Sequence, residues 1–344
     1  MSKLEDILEN LNGFGKYQKI RYVLLCFSGL LPPIASYIHS FIAANPGYIC
    51  QDTDLSIGTN LSHLFYGQGY KNRCKILKFQ NKSTYYLSSS DYTNNEHNLE
   101  NCKNWFYDKT YYKKTLTEQF NLVCENAIWR SFMQAVYYTG MLIGSILLGL
   151  VSKKFGQKIS LIISLILLIS GSLILSFVSN NSFENILNYV IIISGRFIIA
   201  IGSHGISINS YLLTMEFIGR NKKKYCALMF EFIFALGQLV LVFSAYFLRE
   251  WRDLTFVILV PCLPFFLLVC LSDESIQFLS SKKDFNRIEK LLKKIAKINK
   301  THFDDSSWKS FLSKENTDRK ISTISQNSLI KPNYFVLFLI SLNW

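Results

Sequence analysis

Residues 141–176 read MLIGSILLGLVSKKFGQKISLIISLILLISGSLILS. Two apolar runs flank a short linker that holds Lys153, Lys154 and Lys158. A helix needs about 20 apolar residues to cross the hydrocarbon core of a bilayer. The two runs extend over Ile128–Val151 and Ile159–Val178, so each is expected to span a membrane. Working outward, comparable runs occupy Tyr22–Ala44, Leu187–Met215, Tyr225–Leu248 and Leu254–Leu271. The expected fold class is therefore all-α and integral to the membrane, with six spans. Composition agrees. The 344 residues are 49% hydrophobic and only 18% charged, where soluble chains carry about a quarter. A net charge of +13 would suit nucleic acid or an anionic surface. Here the basic clusters sit between apolar runs, the pattern of inward-facing membrane loops, and no nucleic-acid partner is expected.

Loop charges set the orientation. Lys153, Lys154 and Lys158 join the second and third spans, and Arg220, Lys222, Lys223 and Lys224 join the fourth and fifth. The link between the third and fourth spans, Ser179–Ile186, has no Lys or Arg. Positive loops stay inside. Residues 1–21, an amphipathic segment with Leu4, Ile7, Leu8 and Leu11 at helical spacing, and residues 272–333 are thus expected in the cytosol. Arg249 and Arg252 fall on the outside and run against this scheme.

The polar stretch 45–126, between the first span (22–44) and the remaining five (127–271), becomes a large extracellular loop. Cys50, Cys74, Cys102 and Cys124 lie in it, an even set in an oxidising compartment, so two disulfides are expected with three pairings open. Asn60 and Asn81 begin glycosylation sequons. Within 272–333, Phe285, Ile288, Leu291, Leu292, Ile295 and Ile298 recur at three- and four-residue steps, which predicts an amphipathic helix under the membrane domain. Residues from Ser306 to Lys331 read as loop. The final apolar run, 334–344, is too short to span and reads as the start of a seventh helix, so the chain is expected to be truncated or incomplete there.

No catalytic or metal-binding constellation is present in the sequence. The five histidines are scattered, and no phosphate-binding Gly-rich loop or nucleophile elbow occurs, so neither an enzyme nor a cofactor is expected. The informative residues are ionisable groups inside apolar runs, which are costly in lipid and usually face a cavity or a partner. They are Arg196 in the fourth span, Glu216 at its end and Glu231 in the fifth.

Several stretches then resemble one family. They are Asn12-Gly-Phe-Gly-Lys-Tyr-Gln18, Thr117-Glu-Gln-Phe-Asn-Leu-Val-Cys124, Gly195-Arg-Phe197, Tyr211-Leu-Leu-Thr-Met-Glu-Phe-Ile-Gly219, Glu231 to Gly237, and Trp251-Arg252. In order and at these spacings the chain resembles the organic cation, organic anion and carnitine transporters of the major facilitator superfamily. The resemblance implies two six-helix halves of which this chain supplies the first, each built from inverted three-helix repeats. It implies a plasma-membrane carrier working by alternating access on a small organic ion, with a missing C-terminal half or an oligomer partner. It places Glu231 where organic cation carriers have a substrate-contacting Gln, with Phe230 and Phe234 beside it and Arg196 in the same region. A carboxylate among aromatic faces favours a cation or a carnitine-like zwitterion; the alternatives are an organic anion carrier, or a truncated or degenerate relative that does not transport and serves as a binding or regulatory partner or has no function. The resemblance also marks a cytosolic gate at Glu216, Gly149, Gly156, Lys153 and Gln277. Here the superfamily pattern Gly-x-x-x-Asp-Arg-x-Gly-Arg-Arg reads Gly149 to Lys158 with Lys153 in the acidic place. Pro-Glu-Ser-Pro-Arg-Trp reads Asp273 to Phe278 with Gln277 in place of Arg.

Overall fold

The structure is a computed structural model that describes residues 7–9, 11, 13–50, 74–78, 84–85, 99–102, 104–176, 178 and 185–313. Asn60, Asn81 and the apolar run 334–344 lie outside the described residues. Among the described residues, six helical stretches are long and apolar enough to cross a membrane: Lys16–Ile42, Cys124–Phe155, Gln157–Ser176, Ile186–Glu216, Lys223–Phe247 and Trp251–Cys270. They are called the first to sixth spans.

The first span departs from a single rod. It is three helical pieces, Lys16–Ser28, Leu31–Tyr37 and His39–Ile42, with Pro32 and Pro33 in the first turn of the middle piece. Proline there removes donors that a helix start leaves unpaired anyway, so the break costs little. The sixth span stays one helix through Pro261 and Pro264.

The fourth span is the hub and packs against the first, second and third. Fully buried Ile192, Ile199, Ile206 and Leu213 recur along it at the seven-residue step of one helical stripe. Small residues allow the close approach that membrane helices need in the absence of a hydrophobic drive. A Cβ on Gly202 would lie 2.6 Å from the Leu168 backbone nitrogen of the third span, and one on Gly237 would lie 2.7 Å from the Leu30 carbonyl oxygen of the first. The neighbour pattern repeats when the first three spans are exchanged for the last three. Second–fourth becomes fifth–first, third–fourth becomes sixth–first, and third–sixth maps onto itself. This is the arrangement expected of two three-helix repeats. The second and fifth spans, equivalent in that scheme, are the least covered, each with 22% of its apolar window buried.

The stretch between the first two spans was expected only as a loop, and it contains short strands. β1 (Tyr48–Cys50) pairs antiparallel with β5 (Trp105–Tyr107). β2 (Lys75–Lys78) pairs with both β3 (Thr84–Tyr85) and β4 (Leu99–Asn101). The strands are two to four residues long, too short for an alternating pattern to stand out in the sequence. Cys74 and Cys124 form a disulfide, and Cys102 is disulfide-bonded as well.

After the sixth span, helix Phe285–Asn299 buries Ile288, Leu291, Leu292 and Ile295 and turns its lysines outward, as the periodicity predicts. Asp284 caps it by accepting from the Arg287 backbone N–H at 3.2 Å. Residues 305–313 are helical, although the stretch from Ser306 on reads from composition as loop. Asp304 accepts from the Ser306 backbone N–H at 3.0 Å, and Trp308 and Phe311 stack with ring centroids 5.4 Å apart and are buried. Tertiary burial of two aromatic rings, rather than intrinsic propensity, makes this helix.

Candidate functional site

Among the described residues, three polar clusters stand out in and at the end of the apolar bundle. The first surrounds Arg196, which is 1% exposed. Its guanidinium lies over the Tyr137 ring of the second span, 4.5 Å from the centroid. It donates to the Ala35 carbonyl and the Gln134 side-chain oxygen, both at a long 3.4 Å. Its Nε has no partner among the described residues. Tyr137 in turn shares hydrogen bonds with Ser36 at 3.0 Å and Ser203 at 3.1 Å, so spans one, two and four meet on this ring. His39 lies beside Arg196 and Arg130, and its Nδ1 has no partner among the described residues. Among the described residues no carboxylate is paired with Arg196, and stacking on tyrosine is what offsets its desolvation.

The second cluster sits at the end of the bundle where the first span begins. Glu216 accepts hydrogen bonds from the Gln157 side chain, the Ser275 hydroxyl and the Gln277 backbone. Beside it, the Lys158 ammonium caps the sixth-span helix by donating to the Cys270 carbonyl at 2.9 Å and the Ser272 carbonyl at 2.6 Å. The Lys158 backbone N–H donates to Glu274 at 3.0 Å. Gly156 holds φ +106°, and a Cβ there would meet the Glu274 carboxylate at 2.9 Å, so the turn between the second and third spans requires glycine.

A further hub at this end is Asp273. It accepts from the Tyr17 hydroxyl at 2.8 Å and the Lys294 ammonium at 2.7 Å, with an Arg21 nitrogen at 3.9 Å. Arg21 donates to Tyr17 Oη at 3.0 Å and stacks over Phe217 at 3.8 Å. Burial pushes the Asp273 carboxyl up, but Lys294, Tyr17 and Arg21 outweigh it and hold the group below the ordinary carboxylate range. Asn299 ties the N-terminal segment down, accepting from the Tyr17 N–H at 3.0 Å and donating to the Leu11 carbonyl and Gln18 at 2.9 Å. The Gly219 N–H donates to the Gly13 carbonyl at 2.8 Å.

The structure brings Glu216, Gly156 and Gln277 together at this end. Lys153 and Gly149 are exposed on the second span, and no atom lies within 4 Å of a Cβ built on Gly149. Glu231 is exposed in the first half of the fifth span, Lys223–Phe247, with no partner among the described residues. Phe230, one residue before it, is 3% exposed and meets Tyr211 edge-on, ring centroids 5.4 Å apart; Phe234 is half-buried. No hydrogen bond or ion pair joins Glu231 to Arg196. Sequence reasoning missed the Asp273 hub. Arg21 reads as a flank of the first span, but the helix begins at Lys16, so Tyr17 and Arg21 stand four residues apart on one face. That spacing was the available signal.

The protein family described as sugar (and other) transporter matches residues 74–342. Solute carrier family 22 member 6-B of Xenopus laevis is 29% identical over 303 residues, which are 86% of this chain and 53% of that protein. The organic cation transporter-like protein of Drosophila melanogaster is 24% identical over 322 residues, 92% of this chain and 55% of its own length. Organic cation transporter 1 of Caenorhabditis elegans is 28% identical over 299 residues, 85% of this chain and 49% of its own. Among solved structures, the xylose transporter XylE from E. coli in a partially occluded inward-open conformation superposes with a TM-score of 0.51 at 18% identity, covering 81% of this chain and 54% of that one. At that identity the likeness speaks for the fold. The chain spans about half the length of the curated relatives it matches.

Proposed function

The chain belongs to the sugar (and other) transporter family, and from that premise we propose that it carries small organic ions, organic cations or carnitine-like zwitterions, across the plasma membrane by alternating access. The basic end of the bundle, with the N-terminus, lies in the cytosol, and the disulfide-bonded loop faces outside. A second six-span unit covers the face made by the second and fifth spans.

The observation that carries the reading is Glu231. A carboxylate within an apolar helix costs up to about 2.5–3.5 kcal/mol in lipid, the value at the helix centre. Glu231 stands exposed on one of the two least covered spans and without a partner among the described residues. Such a group is supportable beside a water-filled cavity, where it attracts a cation. Arg196 and Arg130 supply positive charge elsewhere in the spans, so both signs are present, as a zwitterion requires.

The competing reading, a relative that binds without transporting, is favoured by the gate. Glu216 is held by the neutral Gln157 and Ser275, and Lys153 stands exposed in the acidic place of the superfamily pattern. Uptake of labelled cations, zwitterions and anions by cells expressing the complete transcript separates the two. Saturable uptake of cations or zwitterions supports the carrier; binding without uptake supports the other reading.

A further inference from the structure

A cleft of about 220 Å³ opens between the first and sixth spans and helix Phe285–Asn299, at the end of the bundle that carries the Asp273 hub. Its walls are Ile20, Leu24, Leu25, Phe265, Leu268 and Val269. Its polar end is Tyr17, Arg21, Asp273 and Lys294. We propose that this cleft is a lipid site, in which one acyl chain of an anionic glycerophospholipid lies along the apolar walls and its headgroup phosphate meets Lys294 and Arg21. The site is separate from the transport reading and does not depend on it.

Three observations support an anionic occupant. The polar end holds two cations, Arg21 and Lys294, against one carboxylate, Asp273, and so keeps a net positive charge. Arg21 is 6% exposed, lines the cleft, and its Nε has no hydrogen-bond partner among the described residues. A guanidinium N–H left unsatisfied at such depth is a donor awaiting an acceptor. Lys290 and Lys297 stand exposed on the neighbouring turns of the helix, on either side of Lys294. The walls argue for a chain rather than a free anion. Ile20 is 51% exposed beside the cleft, and the cleft lies at the end of two apolar spans, where lipid tails and headgroups meet.

The test uses the full chain reconstituted in vesicles of equal phosphatidylserine and phosphatidylcholine with the same acyl chains, then released into mild detergent for native mass spectrometry. The expected result is retained phosphatidylserine, enriched about fivefold over phosphatidylcholine for each basic group engaged. Lys294→Gln is expected to reduce that preference. Leu24→Trp, which fills the cleft from a half-exposed position, is expected to remove the retained lipid while helix content by circular dichroism stays unchanged. Equal retention of both lipids by the wild-type chain, no retained lipid, or undiminished retention by Leu24→Trp overturns the proposal. Displacement of the lipid by millimolar inorganic phosphate also overturns it, because a free anion would then suffice.

Discussion

Asp273→Asn is expected to loosen the end of the bundle where the N-terminal segment, the sixth span and helix Phe285–Asn299 meet. The substitution keeps an oxygen able to accept from Tyr17 and leaves two Arg21 contacts intact, the bond to the Asp273 backbone carbonyl and the stack on Phe217. It removes the charge that Lys294 meets at 2.7 Å and Arg21 at 3.9 Å. The Lys294 pair is half-exposed, and such pairs contribute under about 1 kcal/mol. Removing the sole partner of a buried charge costs about 3–5 kcal/mol; Arg21 keeps its other contacts, so about 1 kcal/mol of that is expected here. The sum, about 1–2 kcal/mol, lowers Tm by a few degrees in a chain of this size. Nanoscale fluorimetry on the full chain in detergent micelles measures it. Because the Asp273 carboxyl titrates below its ordinary range when folded, its contribution is fully present above that range and is lost as pH falls through the depressed value. The gap in Tm between wild type and variant should therefore hold at neutral pH and close only in strong acid. Equal Tm values at pH 7, or a gap undiminished in acid, would refute the reasoning.

Three further outcomes are expected. Gln157→Arg gives Glu216 a charged partner in place of an amide; charge-assisted bonds are about twice as strong as neutral ones, so Tm should rise, and a fall in thermal scanning would show that the pocket has no room for the guanidinium. Non-reducing peptide mapping should recover the Cys74–Cys124 crosslink, and opening this 50-residue separation should cost the loop about 4 kcal/mol in the chain-entropy view; free thiols at both positions in surface protein would contradict it. An epitope beside Lys309 should be labelled only after permeabilisation, and labelling of intact cells would invert the proposed orientation.

The spans were legible because their signal is local. Some 20 apolar residues between basic linkers admit few alternatives in a bilayer; the run Ile128–Val151 falls within the observed second helix, and Ile159–Val178 overlaps the third, which ends at Ser176. Helix Phe285–Asn299 was legible for a similar reason, its apolar residues falling at helical steps. The short strands and the helix at residues 305–313 were not, because each depends on partners distant in the sequence or on burial of single rings such as Trp308. At the candidate site, residue types were readable and relations were not. Arg196 and Glu231 stand out as charges in apolar runs, but only coordinates reveal that Arg196 stacks on Tyr137 while Glu231 stands open. Asp273 escaped notice because its partners Tyr17, Arg21 and Lys294 lie some 256, 252 and 21 residues away.

The central claim is that Glu231 draws a cationic group into the transport path. Its direct test is uptake of a quaternary ammonium probe such as tetraethylammonium by the complete transporter and its Glu231→Gln variant, with Tm measured on the same membrane preparation. Exchanging a charged for a neutral contact is worth about 1.5 kcal/mol, so the account predicts an apparent affinity about tenfold weaker at unchanged Tm. Unchanged affinity together with a lower Tm would contradict it, showing that Glu231 supports the fold instead of the substrate.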